Sequence, residues 1–263
     1  METTLPTLTK EQQLFYEANG YLLGMQPVFT EPYLMEGYHK LTAMLFRDEI
    51  PSDMSNWHLT SRWLYDLATH PQLLNYVEGV LGPDFYFWSS DFIIKSPRSE
   101  KIVPWHQDAE YWAISAGKST TVWLAFGDVD EGNGAMKVIP GTHKAGLIKH
   151  KIAGEASILS FELEEGTFNE ADAVSLRIPA GANSLHDDRI IHGSPANESD
   201  RWRIACVLRY TTYDVKADLT KVPTFTTFPI RGVDRFRHNP IGTPPSEMFA
   251  RPAHTTKRIR KTK

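Results

Sequence analysis

The dipeptide Gly82-Pro83 divides this sequence into two textures. Before it, apolar residues recur at helical spacing between start and stop signals. Thr9-Lys10-Glu11-Gln12 is a capping box, in which a threonine hydroxyl caps the helix and a glutamine three residues on reaches back. Leu14, Phe15 and Ala18 follow at helical spacing, and Asn19-Gly20 stops the element. A second helix is predicted from Thr30 through Tyr33, Leu34, Tyr38, Leu41 and Leu45. Two shorter ones are predicted at Arg62–Ala68 and Gln72–Leu81, with Pro71 opening the latter and Gly82-Pro83 closing it. After Gly82 the chain breaks into short β-rich runs: Phe85 to Trp88, Phe92 to Ile94, Thr121 to Phe126, Ala135 to Ile139 and Ile204 to Leu208. Turn clusters at Asp130 to Gly134, Pro140 to Thr142 and Pro179 to Gly181 separate them. Short strands interrupted this often point to a sandwich or barrel. The expected architecture is mainly β with N-terminal helices: a double-stranded β-helix, a cupin-like jelly roll, over about 83–215, with helices in 9–82 supporting one sheet. We expect a single domain over 1–250. The last stretch, 251–263, carries six basic residues and only Ile259 as a large apolar one, and reads as a disordered tail.

Composition narrows the function classes. A chain of 263 residues can bury a substantial core, and 41% hydrophobic with 23% charged residues is ordinary for a globular protein. A net charge of −4 leaves no footprint for nucleic acid. No apolar run approaches the ~20 residues of a membrane span, and Met1 to Leu8 lacks the basic-then-apolar order of a signal peptide. Cys206 is the single cysteine, so no internal disulfide forms. The expectation is a cytoplasmic protein whose partner is a small molecule, not nucleic acid or membrane.

The strongest chemical signal is Trp105-His106-Gln107-Asp108. Read as a strand, it places His106 and Asp108 on one face, because side chains alternate with period two. An imidazole and a carboxylate on one face make half of a facial metal site. His192, in the β run Ile190-Ile191-His192-Gly193-Ser194, is the candidate third ligand. Two histidines and a carboxylate leave three octahedral positions open. An isolated His-x-Asp usually binds nothing, and zinc hydrolases use the same three ligands. Arg203 bears on the choice. It lies eleven residues after His192, across a turn at Ser194 to Asp200, and its planar fork suits a carboxylate. Ser194 shares a face with His192 if the strand persists. The competing reading makes Arg203 a surface residue on an edge strand.

Taken together, these residues resemble the phytanoyl-CoA dioxygenase family, a jelly-roll branch of the Fe(II)/2-oxoglutarate oxygenases. The resemblance runs from the first helix, Leu8 to Leu23, to about Tyr210. It rests on His106-Gln107-Asp108, Asn133-Gly134, Ile139-Pro140-Gly141-Thr142-His143, His192-Gly193-Ser194 and Arg203, in matching order and spacing. It implies His106, Asp108 and His192 as iron ligands, with 2-oxoglutarate and O₂ as co-substrates. It implies Arg203 and Ser194 as holders of the distal carboxylate, and Trp123 as a lining residue of the co-substrate pocket. The Pro140 to His143 segment reads as a structural turn. Halogenases of the wider oxygenase group carry a small residue in place of the carboxylate, whereas this chain keeps Asp108. The stretch from His106 to Trp112, the Trp63 to Leu67 helix and Trp88-Ser89-Ser90 resemble bacterial members acting on small molecules, some of them on aminoethylphosphonate or its trimethylated form.

Strand alternation proposes the substrate side. Ala205, Val207 and Arg209 share a face with Arg203, and Ile190, Asp188 and His186 share one with His192. Tyr111 and Trp112 follow the metal motif, and Trp57 and His58 lie on a loop that would close the pocket from the helical side. An aromatic cage beside a cationic wall suits a small zwitterion, cation–π for its ammonium and arginine for its anion. The expected activity is hydroxylation of a small polar molecule, an aminoalkylphosphonate being the leading candidate. A natural product or an acyl-type substrate is the alternative within the class. A metal-dependent hydrolase or isomerase and a non-catalytic jelly-roll binding protein are the alternatives outside it.

Overall fold

The computed structural model describes residues 5–29, 31–47 and 55–250, the side chains of 44–47 excepted. Four helices precede the jelly roll: α1 (Lys10–Asn19), α2 (Pro32–Arg47), α3 (Arg62–Ala68) and α4 (Pro71–Leu81). The capping box at α1 is reciprocal: the Gln12 N–H donates to Thr9 Oγ1 at 3.2 Å and the Thr9 N–H to Gln12 Oε1 at 2.9 Å. The His70 imidazole accepts from the Gln72 N–H at the start of α4, and Pro71 takes the first turn, where its missing N–H costs nothing. The expected start of the second helix at Thr30 lies outside the described residues, as does the 251–263 tail. Among the described residues, no helix is long and apolar enough to cross a membrane.

Twelve strands follow in chain order: β1 (Tyr21–Leu22), β2 (Phe85–Lys95), β3 (Val103–His106), β4 (Ser119–Ala125), β5 (Lys137–Ile139), β6 (His150–Ile152), β7 (Phe161–Leu163), β8 (Val174–Ser175), β9 (Asn183–Asp187), β10 (Ile191–Ser194), β11 (Arg203–Thr212) and β12 (Phe228–Arg231). They form a six-stranded sheet in the order β1-β9-β4-β11-β2-β12, a four-stranded sheet in the order β3-β10-β5-β8, and the hairpin β6-β7. Every named pair is antiparallel. The two main sheets face each other as a jelly roll.

Alternation along β4 and β11 divides the core. Val122, Leu124, Ile204, Cys206, Leu208 and Tyr210 face outward and pack beneath Trp63, Leu67, Leu73 and Val77 of α3 and α4. Trp123, Ala125, Ala205 and Val207 face inward, against Val138 of the smaller sheet and Met136 and Leu176 beside it. The helices therefore support one sheet, as predicted. A fully buried Leu or Val adds about 1.5–3 kcal/mol, so this outer layer is what holds the large sheet flat against the helices. A polar thread also crosses it: the Tyr16 hydroxyl of α1 donates to Thr120 Oγ1 at 2.9 Å, and Thr120 donates to the His186 carbonyl at 3.2 Å.

In one respect the strands differ from expectation. β2 runs unbroken through Ser89-Ser90-Asp91, where two separate runs were predicted. Ser89 and Asp91 point to the inner face, where Arg209 donates to both, and Ser90 points outward to His58. The polar residues mark a polar interior, not a gap between strands.

Gly193 of β10 lies close against the backbone of β3. A Cβ there would lie 3.0 Å from the Val103 carbonyl oxygen and 3.2 Å from Pro104 C. Gly193→Ala should therefore force the two strands apart by a few tenths of an ångström. We predict a loss of about 1–3 kcal/mol in urea unfolding, in the range of overpacking, with the far-ultraviolet circular dichroism unchanged. A neutral effect would show that β3 and β10 are free to separate.

Candidate active site

His106 ends β3 and stands directly opposite His192 of β10 in the ladder. The two rings lie 4.1 Å apart between centroids. Asp108 is not on the strand, as alternation had it. It opens a 3₁₀ turn, Asp108–Glu110. Gln107 is still extended (φ −118°, ψ 132°), so the period-two alternation carries through and Asp108 returns to the face of His106. The three buried side chains each offer a ligand atom within 4.8 Å of the others.

Hydrogen bonds orient these ligands. His106 Nδ1 lies 2.8 Å from the Pro104 carbonyl, and His192 Nδ1 lies 3.0 Å from the Ile190 carbonyl. A carbonyl can only accept, so each Nδ1 carries the proton and each Nε2 presents its lone pair inward. Burial, with the neighbouring histidines, holds the His192 imidazole well below its usual range, and hence neutral. Asp108 Oδ2 accepts from the Thr121 hydroxyl at 3.3 Å, with His186 Nε2 at 3.6 Å and Arg209 Nε at 3.9 Å. Asp108 Oδ1 faces His106 Nε2 at 3.7 Å. Burial alone would raise the Asp108 carboxyl, but Arg209 and the surrounding histidines outweigh it and keep it well below the usual carboxylate range. The site thus joins a neutral His192 imidazole and an ionised Asp108 carboxylate to His106. Gln107 points the other way. Its amide donates to the Gly146 and Arg189 carbonyls at 2.8 and 2.6 Å and accepts from the Ile148 N–H at 2.7 Å, tying three segments behind the ligands.

The ligand set suits iron or zinc alike; the residues beside it separate them. Arg203 opens β11 on the inner face and is 1% exposed. Its Nη1 donates to the Gly134 carbonyl at 3.0 Å and to Ser194 Oγ at 3.3 Å, and its Nε and Nη2 have no partner. Trp123 lies beneath the guanidinium, 5.7 Å from ring centroid to Cζ. Burial pulls the Arg203 guanidinium down to about 9. Gly134 is required here. Its φ of +79° favours glycine, and a Cβ would lie 2.8 Å from the Pro195 and Ala196 carbonyl oxygens. A buried guanidinium with unpartnered donors is costly unless an anion completes it. A carboxylate fits those donors. The surface reading of Arg203 is excluded by its burial.

The profile of one family, phytanoyl-CoA dioxygenase (PhyH), matches residues 35–205. The peroxisomal phytanoyl-CoA dioxygenase of Bos taurus is 32% identical over 227 residues, 75% of this chain and 67% of its own length. The chain belongs to the phytanoyl-CoA dioxygenase family. It is accordingly a 2-oxoglutarate-dependent dioxygenase. A probable alpha-ketoglutarate-dependent hypophosphite dioxygenase of Stutzerimonas stutzeri is 26% identical over 188 residues, 70% of this chain and 63% of the relative. In fold, the chain is similar to the non-heme monooxygenase ThoJ, with a TM-score of 0.74 and 24% identity over 91% of this chain and 90% of that one.

The remaining candidates of this family member divide. His186 stands beside the ligands, 4.8 Å from the His192 ring, with Nε2 turned to Asp108 and Nδ1 buried without a hydrogen-bond partner. It gets there by a different route from the one expected. His186 and His192 do not share a strand face, because a turn at 188–190 carries the chain from the six-stranded sheet to the four-stranded one. Arg209 does share the inner face with Arg203. Its charge, however, is already met by Asp91, to which Nη1 donates, and by Asp108. Trp112 stacks over Arg209 at 5.4 Å and meets Trp88 edge-on at 5.1 Å. The Tyr111 hydroxyl is engaged with the backbone of Phe161, donating to its carbonyl at 2.6 Å and accepting from its N–H at 3.1 Å. Tyr111 thus fastens β7 to the metal turn.

Trp57 and His58 are not near the ligands. Both are buried on the helical face of the large sheet, His58 against Phe87 and Phe228, with Nδ1 2.8 Å from Ser90 Oγ. Burial pushes the His58 imidazole down to about 3. An unfolded histidine titrates near ~6.5. Below that pH the unfolded chain therefore binds a proton that the folded chain refuses, and stability falls as pH falls from about 6.5 toward 3. Between pH 7 and pH 5 this group alone costs about 2 kcal/mol. His58→Gln should flatten the pH dependence of urea unfolding by that amount. An unchanged slope would mean that His58 is protonated in the folded protein.

Proposed function

We propose that this enzyme hydroxylates an unactivated C–H bond of a small polar molecule, consuming 2-oxoglutarate and O₂ and releasing succinate and CO₂. The observation that carries the reading is Arg203: a guanidinium buried beside the ligand set with two donors unsatisfied. In this reading His106, Asp108 and His192 hold Fe(II). Arg203 and the Ser194 hydroxyl hold the distal carboxylate of 2-oxoglutarate, against the wall made by Trp123. Iron and 2-oxoglutarate supply, when bound, the oxidising chemistry that no side chain can perform. The chain's own residues orient and desolvate. Thr121, His186 and Arg209 fix Asp108 Oδ2, which leaves Oδ1 for the metal. The Ile190 and Pro104 carbonyls fix the two imidazoles. Trp112 and Trp88 screen Arg209, and exclusion of water strengthens every charge inside.

The substrate is proposed from the same wall. Arg209 is paired with Asp91 and flanked by Ser89, so a positive and a negative group stand side by side under Trp112. A balanced wall favours a neutral or zwitterionic molecule over a net anion, since each end of a zwitterion finds its opposite. An amino- or trimethylaminoalkylphosphonate remains the first candidate. His186 offers it Nδ1, which has no hydrogen-bond partner, and Trp112 offers an aromatic face for the ammonium.

The test is a panel of small amines, amino acids and phosphonates with iron-loaded enzyme, 2-oxoglutarate and O₂. Succinate is the general readout, and phosphorus NMR follows the phosphonates. We expect at least one small polar compound to be hydroxylated with matching succinate. His106→Ala, Asp108→Ala and His192→Ala should each abolish that signal in folded protein. Turnover near normal in any one of the three removes that residue from the metal site. Turnover confined to hydrophobic or CoA-linked compounds overturns the small-molecule reading.

A further inference from the structure

Lys95 is the last residue of β2 and pairs with Arg203 of β11 in the ladder, so the two side chains stand together on the inner face of the large sheet. Each is 1% exposed. Among the described residues neither has a carboxylate partner. The Lys95 ammonium crosses to the smaller sheet. It donates to the Ser194 carbonyl at 3.1 Å and also to the Pro195 carbonyl. Arg203 reaches the same residue from the other side, through Ser194 Oγ. Ser194 is thus gripped twice, its carbonyl by Lys95 and its hydroxyl oxygen by Arg203. The grip extends to Pro195, whose carbonyl sets the close approach of Gly134, and the Gly134 carbonyl binds Arg203 in turn.

Two adjacent buried basic groups with no anion between them are a poor arrangement for the protein alone. Burial, with Arg203 alongside, pulls the Lys95 amine down to about 6, so that near neutral pH it is mostly uncharged until an anion enters. Carbonyl oxygens satisfy the Lys95 donors but not its charge. An apolar side chain would fill the same space without that cost. The charge becomes favourable once a carboxylate enters beside Arg203.

We propose that Lys95 is a positioning residue for the co-substrate: it clamps the Ser194-Pro195 turn so that the Ser194 hydroxyl meets the carboxylate, and it supplies the second positive charge behind Arg203. The proposal rests on the reading of Arg203 as the anchor of the distal carboxylate of 2-oxoglutarate. It adds a requirement that reading does not contain, namely that one cation is insufficient.

The experiment is calorimetric titration of the Mn(II)-loaded protein with 2-oxoglutarate, and with 2-oxobutanoate, which has the same oxo-acid end and no distal carboxylate. Wild type should prefer 2-oxoglutarate strongly. Lys95→Met should weaken 2-oxoglutarate about tenfold or more, in the range of a buried charged partner, and narrow the preference. Binding of 2-oxobutanoate and of Mn(II) should stay within about threefold of wild type. Lys95→Gln, which keeps an N–H donor for the turn but not the charge, guards against a misfolded methionine variant and should show the same narrowing. Equal weakening of both oxo acids would reduce Lys95 to a strut of the fold and overturn the proposal. Unchanged binding of 2-oxoglutarate would overturn it as well. Arg203→Met separates the two levels. If it leaves the preference intact, the carboxylate is not anchored at Arg203 and the parent reading fails. If it abolishes the preference while the Lys95 variants keep it, only the Lys95 proposal fails.

Discussion

The antiparallel register of β3 on β10 is the constraint on which the site depends. It sets His106 opposite His192, beside a close approach of the two backbones that a glycine at 193 allows. Both imidazoles then donate Nδ1–H to a carbonyl two residues back in their own chain, so backbone geometry alone selects the tautomer and aims Nε2 at the metal position. Asp108 needs one more extended residue, Gln107, whose side chain is spent on holding 146, 148 and 189 in place. A one-residue slip in this ladder would turn the ligands to the opposite face. The helical layer is remote from this chemistry but not irrelevant to it. By burying the outer face of β4 and β11 it fixes the sheet that carries Thr121, Trp123, Arg203 and Arg209.

The inside of the roll has a charge gradient along β2 and β11. At one end lie Lys95 and Arg203, two basic groups without a carboxylate among the described residues. At the other lie Arg209, Asp91 and Asp108, where the charges answer one another. The ligand set sits beside the acidic end, and the unbalanced end is where a dicarboxylate co-substrate would bring the missing charge. Under the proposed function, a chelated oxo acid and a small zwitterion would be sorted by which part of a single strand pair they meet.

What was legible in the sequence was mostly local. The Thr9 capping box, Pro71 at the head of α4 and the Gly20 stop each act within one turn of chain, and each is found. The His106-Gln107-Asp108 spacing also survived, although half of its strand is a 3₁₀ turn, because Gln107 stays extended. Alternation failed where it was carried through a turn. From His192 back to His186 it crossed 188–190, where the chain changes sheets, and the two rings meet for a reason the spacing did not contain. His58 failed because which side of a sheet a loop packs on is decided by distant partners, here Phe87 and Phe228. Asp91 and Lys95 carried no motif at all. A Ser-Ser-Asp run reads as a break between strands, and a lysine at a strand end reads as an edge. Only their register against Arg209 and Arg203 shows what they face.

The most direct test of the account is an anaerobic titration of 2-oxoglutarate into the Fe(II)-loaded protein, followed in the visible range. The account predicts one iron per chain and a weak, saturable charge-transfer band that appears only when both are present. It predicts that the band is lost in His192→Ala and shifted to higher 2-oxoglutarate concentration in Arg203→Ala. A protein that binds the metal yet shows no spectral response to 2-oxoglutarate at any concentration would contradict it.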